Sequence, residues 1–282
     1  MLADFHVHSA FSDDSVTPME AQLDQALARG LTGLCFTDHV DYGIKKDWAE
    51  GDIQYRQGEP LANVDYPAYF AELSRLEERY AGRIALFRGL EFGMQRHTVP
   101  QFQSLYAKYW NKLDFVLLSC HQVEEQEFWT GDFMRGRAQS EYNARYYGEI
   151  YAVMERYQDY SVLAHLDLLA RYDPAGPYPF DRIREQVAEI LRLAIRRGKG
   201  IELNTSSWRY GLSDTQPSRE ILRLYKDLGG EIVTLGSDAH TPDYAGDHFR
   251  DALHILHDEI GFERIFTFEH MQPIGWKICD LL

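Results

Sequence analysis

Asp4-Phe5-His6-Val7-His8 opens the chain, and its arrangement of an apolar segment followed by metal-binding side chains recurs along the sequence. Five later apolar runs end in the same way. Their terminal groups are Thr37-Asp38-His39, Glu91, His121, His165 with Asp167, and Asp238 with His240. Barrel enzymes carry their chemistry at the carboxyl ends of the strands. The recurrence therefore predicts a multinuclear metal centre across the mouth of a barrel.

Strand-like and helix-like segments alternate through most of the sequence. The strongest predicted strands cover residues 2–7, 33–37, 84–90, 114–119, 161–164, 200–203 and 232–235, and a short one covers 264–268. Helical patterns cover residues 18–29, 66–80, 100–112, 140–157, 180–197, 218–228 and 248–260. This alternation favours a parallel sheet, and seven strands favour its closure into an α/β barrel. We expect one domain over residues 1–282.

Local signals predict where some elements begin and where loops lie. Thr17 is the predicted N-cap of the first helix, with Pro18 in its first turn. Residues 41–65 and 122–139 lack a clear period and are predicted to be irregular. We expect the first of these to form a loop or lid over the site, where specificity elements commonly lie.

Composition limits the functional classes. A formal net charge of −15 argues against nucleic-acid binding, which needs cationic side chains to neutralise phosphates. An anionic substrate remains compatible with this charge, because bound divalent cations reverse the local field. The sequence shows no signal peptide and no apolar run long enough for a membrane span, so we expect a soluble, cytoplasmic protein. Three cysteines without CxxC spacing predict no disulfide framework.

The residue types at the strand ends suit transition metals. His6 and His8 lie two residues apart, so their side chains project to the same face of a strand. Imidazole together with carboxylate favours Zn, Mn or Fe over Ca. One histidine at a strand end is usually only a hydrogen-bonded loop residue, but six such sites in register indicate ligands. No ligand role is predicted for His97, His248, His254, His257 and His270.

Taken in order from residue 4 to residue 240, these motifs closely resemble the PHP (polymerase and histidinol phosphatase) family. The shared motifs are Asp4-Phe5-His6-Val7-His8, Thr37-Asp38-His39, Gly89-Leu90-Glu91, Ser119-Cys120-His121, Ala164-His165-Leu166-Asp167 and Ser237-Asp238-Ala239-His240. The resemblance implies a distorted (β/α)7 barrel with three divalent metal ions, of Zn, Mn or Fe, at the C-terminal ends of its strands.

The resemblance also implies a distribution of ligands. Those of the first metal would be His6, His8, Glu91 and Asp238. Glu91 would bridge to a second metal held by His121 and His165. The third metal would be bound by His39, His240 and either Asp13 or Asp14, of which Asp14 has the expected spacing from His8. Asp38 and Asp167 are expected to orient imidazoles.

A further stretch suggests the substrate. Glu202-Leu203-Asn204-Thr205-Ser206-Ser207-Trp208-Arg209 resembles the Glu-Ile-Asn-Thr-Ser segment of the histidinol phosphate phosphatase branch. This implies hydrolysis of L-histidinol phosphate in histidine biosynthesis, by a hydroxide that bridges two metals. The residues expected in catalysis are Glu91, Asp238 and His240. Those expected to bind the substrate are Arg171, Arg197, Asn204 and Arg209, since guanidinium matches phosphate.

Several alternatives remain open at this stage. Asp41, Tyr42, Asp47 and Trp48 of the predicted lid are candidates for contacting the substrate's ammonium and imidazole groups. A PHP-type phosphoesterase could instead act on nucleotides or phosphotyrosine. A non-catalytic PHP scaffold disagrees with the complete ligand set, and an amidohydrolase barrel would need a lysine ligand that the sequence lacks. The oligomeric state is left open.

Overall fold

Seven parallel strands, together with the two-residue strand His39–Val40 that pairs beside the third of them, form one sheet in the computed structural model, which describes residues 1–56 and 58–282. The seven are β1 Ala3–Val7, β2 Gly33–Phe36, β3 Ala85–Gly93, β4 Phe115–Ser119, β5 Val162–Leu163, β6 Gly200–Asn204 and β7 Val233–Gly236. Their spatial order follows their order in the chain. The sheet nearly closes, because the backbone N–H of His8 donates to the Ala239 carbonyl at 2.9 Å. The predicted barrel is confirmed.

Helices separate the strands at the positions that the hydrophobic periodicity predicts. Among the described residues they are α1 Met19–Ala28, α2 Tyr66–Arg79, α3 Val99–Tyr109, α4 Gln139–Arg156, α5 Phe180–Arg196, α6 Ser206–Arg209, α7 Arg219–Asp227 and α8 Phe249–His254. A π-helical segment, Ile255–Ile260, extends α8, and the sequence did not predict the short α6. No described helix is both long enough and apolar enough to cross a membrane.

The start of α1 differs from the prediction in a way that affects the site. Pro18, rather than Thr17, occupies the N-cap position, and no side chain caps the helix. The Thr17 hydroxyl instead donates to the backbone carbonyl of His240 at 2.8 Å, and the Ser15 hydroxyl donates to the same carbonyl at 2.8 Å. The loop before α1 is therefore attached to the last strand-end motif.

The two irregular segments flank the open end of the barrel. Residues 41–65 contain a helical turn, Trp48–Glu50, and a short antiparallel pair of Tyr55–Arg56 with Glu59–Pro60. Residues 122–139 begin with another short pair, Gln122–Val123 with Gln126–Glu127. The guanidinium of Arg56 donates to Glu127 at 2.7 Å, and this ion pair joins the two segments.

A C-terminal hairpin closes the opposite end of the barrel. Its strands, β8 Arg264–Glu269 and β9 Gln272–Lys277, are antiparallel, so the predicted final strand is confirmed but lies outside the barrel sheet. Phe268 of β8 packs on Phe115, with ring centroids 5.2 Å apart. Phe115 begins β4, so this contact lies at the amino ends of the strands. The carboxyl ends remain open for a functional site.

Candidate metal centre

Glu91 lies at the centre of the strand-end side chains. Its Oε1 atom is 2.9 Å from His165 Nε2 and 3.0 Å from His121 Nε2. Its Oε2 atom is 3.0 Å from His39 Nδ1 and 3.2 Å from His6 Nε2. One carboxylate therefore contacts imidazoles from four different strand ends, as a bridging ligand would.

A second group forms around Asp14, which the sequence left as one of two candidates. Asp14 Oδ2 is 3.1 Å from His240 Nε2 and 3.4 Å from His39 Nε2. The carboxylate of Asp13 instead pairs with the ammonium of Lys45 at 2.5 Å. The geometry therefore favours Asp14 over Asp13 as the acidic partner of these two histidines.

Carboxylates behind the site orient two of the imidazoles. His6 Nδ1 lies 2.6 Å from Glu202 Oε1, and His121 Nδ1 lies 2.8 Å from Asp41 Oδ1. A ring N–H donated to a carboxylate fixes the tautomer and leaves the lone pair of the other nitrogen free. In the neutral form of each ring, Nε2 therefore faces the centre with a free lone pair, and this is the form that binds a metal.

His8 and His240 are oriented by other oxygen atoms. His8 Nδ1 lies 3.2 Å from the Ser12 hydroxyl, which donates to Asp38 at 2.7 Å. Asp38 therefore acts on His8 through Ser12. His240 Nδ1 lies 3.0 Å from the backbone carbonyl of Asp238, which again leaves Nε2 free.

The nitrogen and oxygen atoms that face the centre are placed better for binding divalent cations than for hydrogen bonding to one another. Several are buried without a hydrogen-bond partner: His6 Nε2, His8 Nε2, His39 Nδ1, His165 Nδ1, His240 Nε2 and Glu91 Oε2. Leaving a buried polar atom unpaired costs about 1–3 kcal/mol. Nitrogen and oxygen atoms here approach within 3.0–3.5 Å without hydrogen-bond alignment. Four overlapping triads have all their donor atoms within 4.8 Å of one another.

The two central carboxyl groups stay ionised despite their burial. Burial alone would raise the pKa of Glu91, but His6, His121 and His39 outweigh it and hold that pKa well below its usual range. Burial likewise acts to raise the pKa of Asp238, and His6 and Arg171 hold it well below its usual range. Both carboxylates are thus available as anionic ligands at neutral pH.

Arg171 is the cationic group that faces the centre most directly. Its guanidinium lies 3.1 Å from Asp238 Oδ2 and 4.2 Å from the ring centroid of Tyr210. It also donates to the hydroxyl of Ser206 at 2.6 Å and to Gln216 at 2.8 Å. These partners fix the planar group at the edge of a cavity of about 440 Å³. Its position beside Asp238 suits an anion bound at the centre.

The family assignment agrees with this geometry. The PHP domain model matches residues 4–206. The chain belongs to the PHP domain family. It is 30% identical over 280 residues to the histidinol-phosphatase of Lactococcus lactis subsp. lactis, covering 95% of each chain. It is 28% identical to a probable histidinol-phosphatase of Deinococcus radiodurans, covering 96% of this chain and 99% of that protein.

A solved structure supports the same assignment. The histidinol phosphate phosphatase of Lactococcus lactis, complexed with zinc, L-histidinol and phosphate, superposes with a TM-score of 0.82. That comparison covers 97% of this chain and 98% of the other, at 27% identity. The predicted resemblance to the PHP family and the predicted barrel are both confirmed.

Two predicted substrate-binding residues of this PHP protein do not line the cavity. Arg197 follows α5 and precedes β6, so it lies near the amino ends of the strands, where its guanidinium donates to the carbonyls of Met154 and Tyr157. Arg209 lies beside the site, but its guanidinium donates to the Asp238 carbonyl at 2.8 Å. The prediction for Arg197 is wrong, and Arg209 supports the backbone at Asp238.

Asn204 is also buried below the centre and does not line the cavity. Its amide nitrogen is 3.2 Å from Glu202 Oε2, and its carbonyl oxygen accepts from the Ser206 backbone at 3.0 Å. Asn204 therefore holds Glu202, the hydrogen-bond partner of His6, in place. The prediction that it contacts the substrate is wrong, because the β6 strand end is covered by other side chains.

Other acidic residues also differ from their expected roles. Asp47 accepts hydrogen bonds from the hydroxyls of Tyr42 at 2.8 Å and Tyr66 at 3.0 Å, so it organises the loop and does not face the cavity. Trp48 likewise does not line the cavity. Asp167 accepts from the Ser218 backbone at 2.8 Å and makes no hydrogen bond to an imidazole. The expected roles of these residues are wrong.

Asp41 and Glu202 are the functional residues whose roles the sequence did not predict. Asp41 was expected in the lid as a substrate contact, and Glu202 was only part of the Asn-Thr-Ser stretch. Glu202 carried a signal that could have revealed it. It is the charged residue inside the apolar strand β6, and a buried carboxylate there needs a polar partner.

Proposed function

We propose that this protein is a metal-dependent phosphatase that hydrolyses L-histidinol phosphate to L-histidinol and phosphate, a step of histidine biosynthesis. The observation that carries the proposal is the set of buried, unpartnered donor atoms around Glu91 beside the guanidinium of Arg171. The Lactococcus lactis relative with zinc, L-histidinol and phosphate supports this substrate. The 440 Å³ cavity has a size suited to a small phosphate monoester.

The proposed centre holds three divalent ions, of Zn, Mn or Fe. Its proposed ligands are His6, His8, Glu91 and Asp238 for the first ion, Glu91, His121 and His165 for the second, and Asp14, His39 and His240 for the third. Bound ions would neutralise phosphoryl oxygens and lower the pKa of a water molecule to supply the nucleophile. Zinc is the first ion to test, because the Lactococcus lactis structure contains it.

The protein's own groups bind and orient the phosphate. Arg171 donates to phosphoryl oxygens from a guanidinium that Asp238 and Tyr210 hold in place. Such preorganised donors stabilise charge that develops in the transition state. His240 donates its Nδ1 proton to a backbone carbonyl, so its proposed role is that of a ligand through Nε2.

The outer wall of the cavity carries one acidic and two aromatic side chains. Glu127 contributes a carboxylate that already pairs with Arg56 at 2.7 Å, and Trp129 and Tyr210 contribute rings whose centroids lie 5.3 Å from Arg56 and 4.2 Å from Arg171. An ammonium group is attracted by both kinds of side chain, and an imidazole ring stacks on the aromatic faces. Histidinol, as the alcohol part of the ester, would share these groups with Arg56 and Arg171.

Phosphate release from L-histidinol phosphate, a nucleoside monophosphate and phosphotyrosine tests the proposal when it is measured together with the metal content. We expect turnover of histidinol phosphate to exceed that of the other two, and to be lost in His121→Ala. His254→Ala, at an exposed histidine on α8, is the matched control. Preference for another ester would overturn the substrate, and full activity of His121→Ala would overturn the metal mechanism.

A further inference from the structure

Lys45 is a buried lysine at the wall of the cavity. It lies near the start of the irregular segment 41–65, and 8% of its side chain is exposed. Its ammonium is 2.5 Å from Asp13 Oδ1 and 2.8 Å from Asp41 Oδ2. An ammonium cannot bind a divalent cation, and a buried charge persists only when it is paired. The two carboxylates supply that pairing.

Each partner of Lys45 connects to a different part of the metal centre. Asp41 uses its other oxygen to accept from His121 Nδ1 at 2.8 Å, and His121 Nε2 reaches Glu91 at 3.0 Å. Asp13 precedes Asp14, whose carboxylate faces His240 at 3.1 Å. One ammonium therefore joins the segment that orients His121 to the loop that presents Asp14.

We propose that Lys45 is a positioning residue that raises the affinity of the centre for two of its ions, the one held by His121 and the one held by Asp14. This inference depends on the ligand assignment made under the proposed function. It assigns to Lys45 an effect on metal affinity that is separate from contact with the substrate.

The physical reason is the positioning of the two carboxylates and the attachment of the Asp14 loop, because the charge of the ammonium by itself repels divalent ions. Without the ammonium, the carboxylates of Asp13 and Asp41 lie close together with no cation between them, and Asp13 is free to move. The Asp14 side chain is 52% exposed, so packing alone does not hold it against His39 and His240. Two of the three N–H donors of Lys45 already serve Asp13 and Asp41, which makes substrate contact a secondary role.

Stepwise zinc affinities of the metal-free protein test the inference, measured by competition with a chromophoric chelator. We expect Lys45→Met to weaken two of the binding steps by about 10- to 100-fold, the usual effect of removing a group that orients a ligand. Asp13→Asn should weaken one step, and Lys45→Arg should retain more affinity than Lys45→Met. Lys46→Met is the matched control, because Lys46 is half exposed and, among the residues that the structure describes, its ammonium pairs with Asp52 alone, at 4.0 Å.

Cobalt spectra and thermal denaturation of the metal-free variants complete the design. A change in the cobalt absorption of Lys45→Met would report altered ligand geometry, which a loss of stability alone does not produce. Zinc affinities of Lys45→Met and Asp13→Asn within twofold of the wild-type values would overturn the inference and leave the phosphatase intact. A wild-type protein that binds no zinc, manganese or iron would overturn the proposed function itself. If Lys45→Met does not fold, Asp13→Asn and Lys45→Arg decide the question.

Discussion

At the scale of single residues, the partner of each imidazole determines how well it binds a metal. Glu202 accepts from His6 Nδ1 with one oxygen and from the His165 backbone with the other, at 2.6 Å and 2.9 Å. Glutamine has a single acceptor oxygen, so Glu202→Gln must lose one of these contacts. We expect its zinc affinity to fall by about 10- to 100-fold, measured by chelator competition. Glu189→Gln, at an exposed position of α5, is the control, and equal affinities would contradict the role of Glu202.

Arg171 carries the corresponding prediction for the substrate. Arg171→Met removes the proposed donors to phosphoryl oxygens, so we expect kcat/KM for histidinol phosphate to fall by about 100-fold. Metal content is measured in parallel, because the guanidinium also pairs with Asp238. Arg135→Met is the control, since 75% of the Arg135 side chain is exposed. A kcat/KM within threefold of the wild-type value, at equal metal content, would show that Arg171 does not bind the phosphate.

The sequence predicts side chains that end strands better than it predicts their partners. His6 and Glu202 are 196 residues apart, and only the closure of the barrel brings them together. Nothing local to His121 indicates that Asp41 will orient it. Arg197 shows a different error, because an arginine at the end of a helix that precedes a strand lies near the amino ends of the barrel. The choice between Asp13 and Asp14 likewise depended on the position of Lys45.

At the scale of elements, alternation of strands and helices was predictable because each barrel strand is a short apolar run followed by a polar residue. The conformations of the loops at the open end were not predictable, because side-chain contacts such as the Arg56–Glu127 ion pair determine them. The C-terminal hairpin shows the same limit. Its hydrophobic pattern predicts a strand, but its place outside the barrel depends on the packing of Phe268.

The hairpin should contribute to the stability of the protein without affecting catalysis, and a substitution in it can test this. Phe268 is 2% exposed and packs at the amino ends of the strands, away from the metal centre. Phe268→Ala should lower the free energy of unfolding by about 3–5 kcal/mol, measured by urea denaturation, while kcat of the folded protein stays within twofold. Ile274→Ala, at a 37% exposed residue of the same hairpin, should cost less. Equal effects of the two substitutions would contradict the packing role of Phe268.

At the scale of the whole molecule, the net charge of −15 predicts that the proposed substrate binds only after the proposed metal ions. The protein's field repels a phosphate ester, and the cationic side chains near the centre are already paired with carboxylates, as Lys45 is with Asp41 and Arg171 with Asp238. Divalent ions held by Glu91 and its neighbouring histidines would invert this field locally. The same acidic surface attracts the cations that the centre needs.

The stability of the molecule should also respond to Asp167, which forms no ion pair within 4.0 Å with the part of the chain that the structure describes. Burial raises the pKa of Asp167 to about 7, although the Ser218 backbone N–H acts to lower it. The pKa of an aspartate in the unfolded chain is about 4. Between pH values of about 4 and about 7 the folded state therefore binds more protons than the unfolded state, and the protein loses stability as pH rises through this range. Asp167→Asn removes this loss. As pH rises from 4 to 8, the unfolding free energy of the variant minus that of wild type should therefore increase by about 1 kcal/mol or more.

Urea denaturation of both proteins in the presence of a chelator checks this difference without interference from metal binding. Asp132→Asn, at a half-exposed aspartate, is the control for the same change of side chain at the surface. Asparagine also places an amide nitrogen in a buried position, and the free energy that this costs is the same at every pH. The comparison therefore uses the change of the unfolding free energy with pH and not its absolute value. A pH-independent difference for Asp167→Asn would show that Asp167 is ionised in the folded protein with an ordinary pKa.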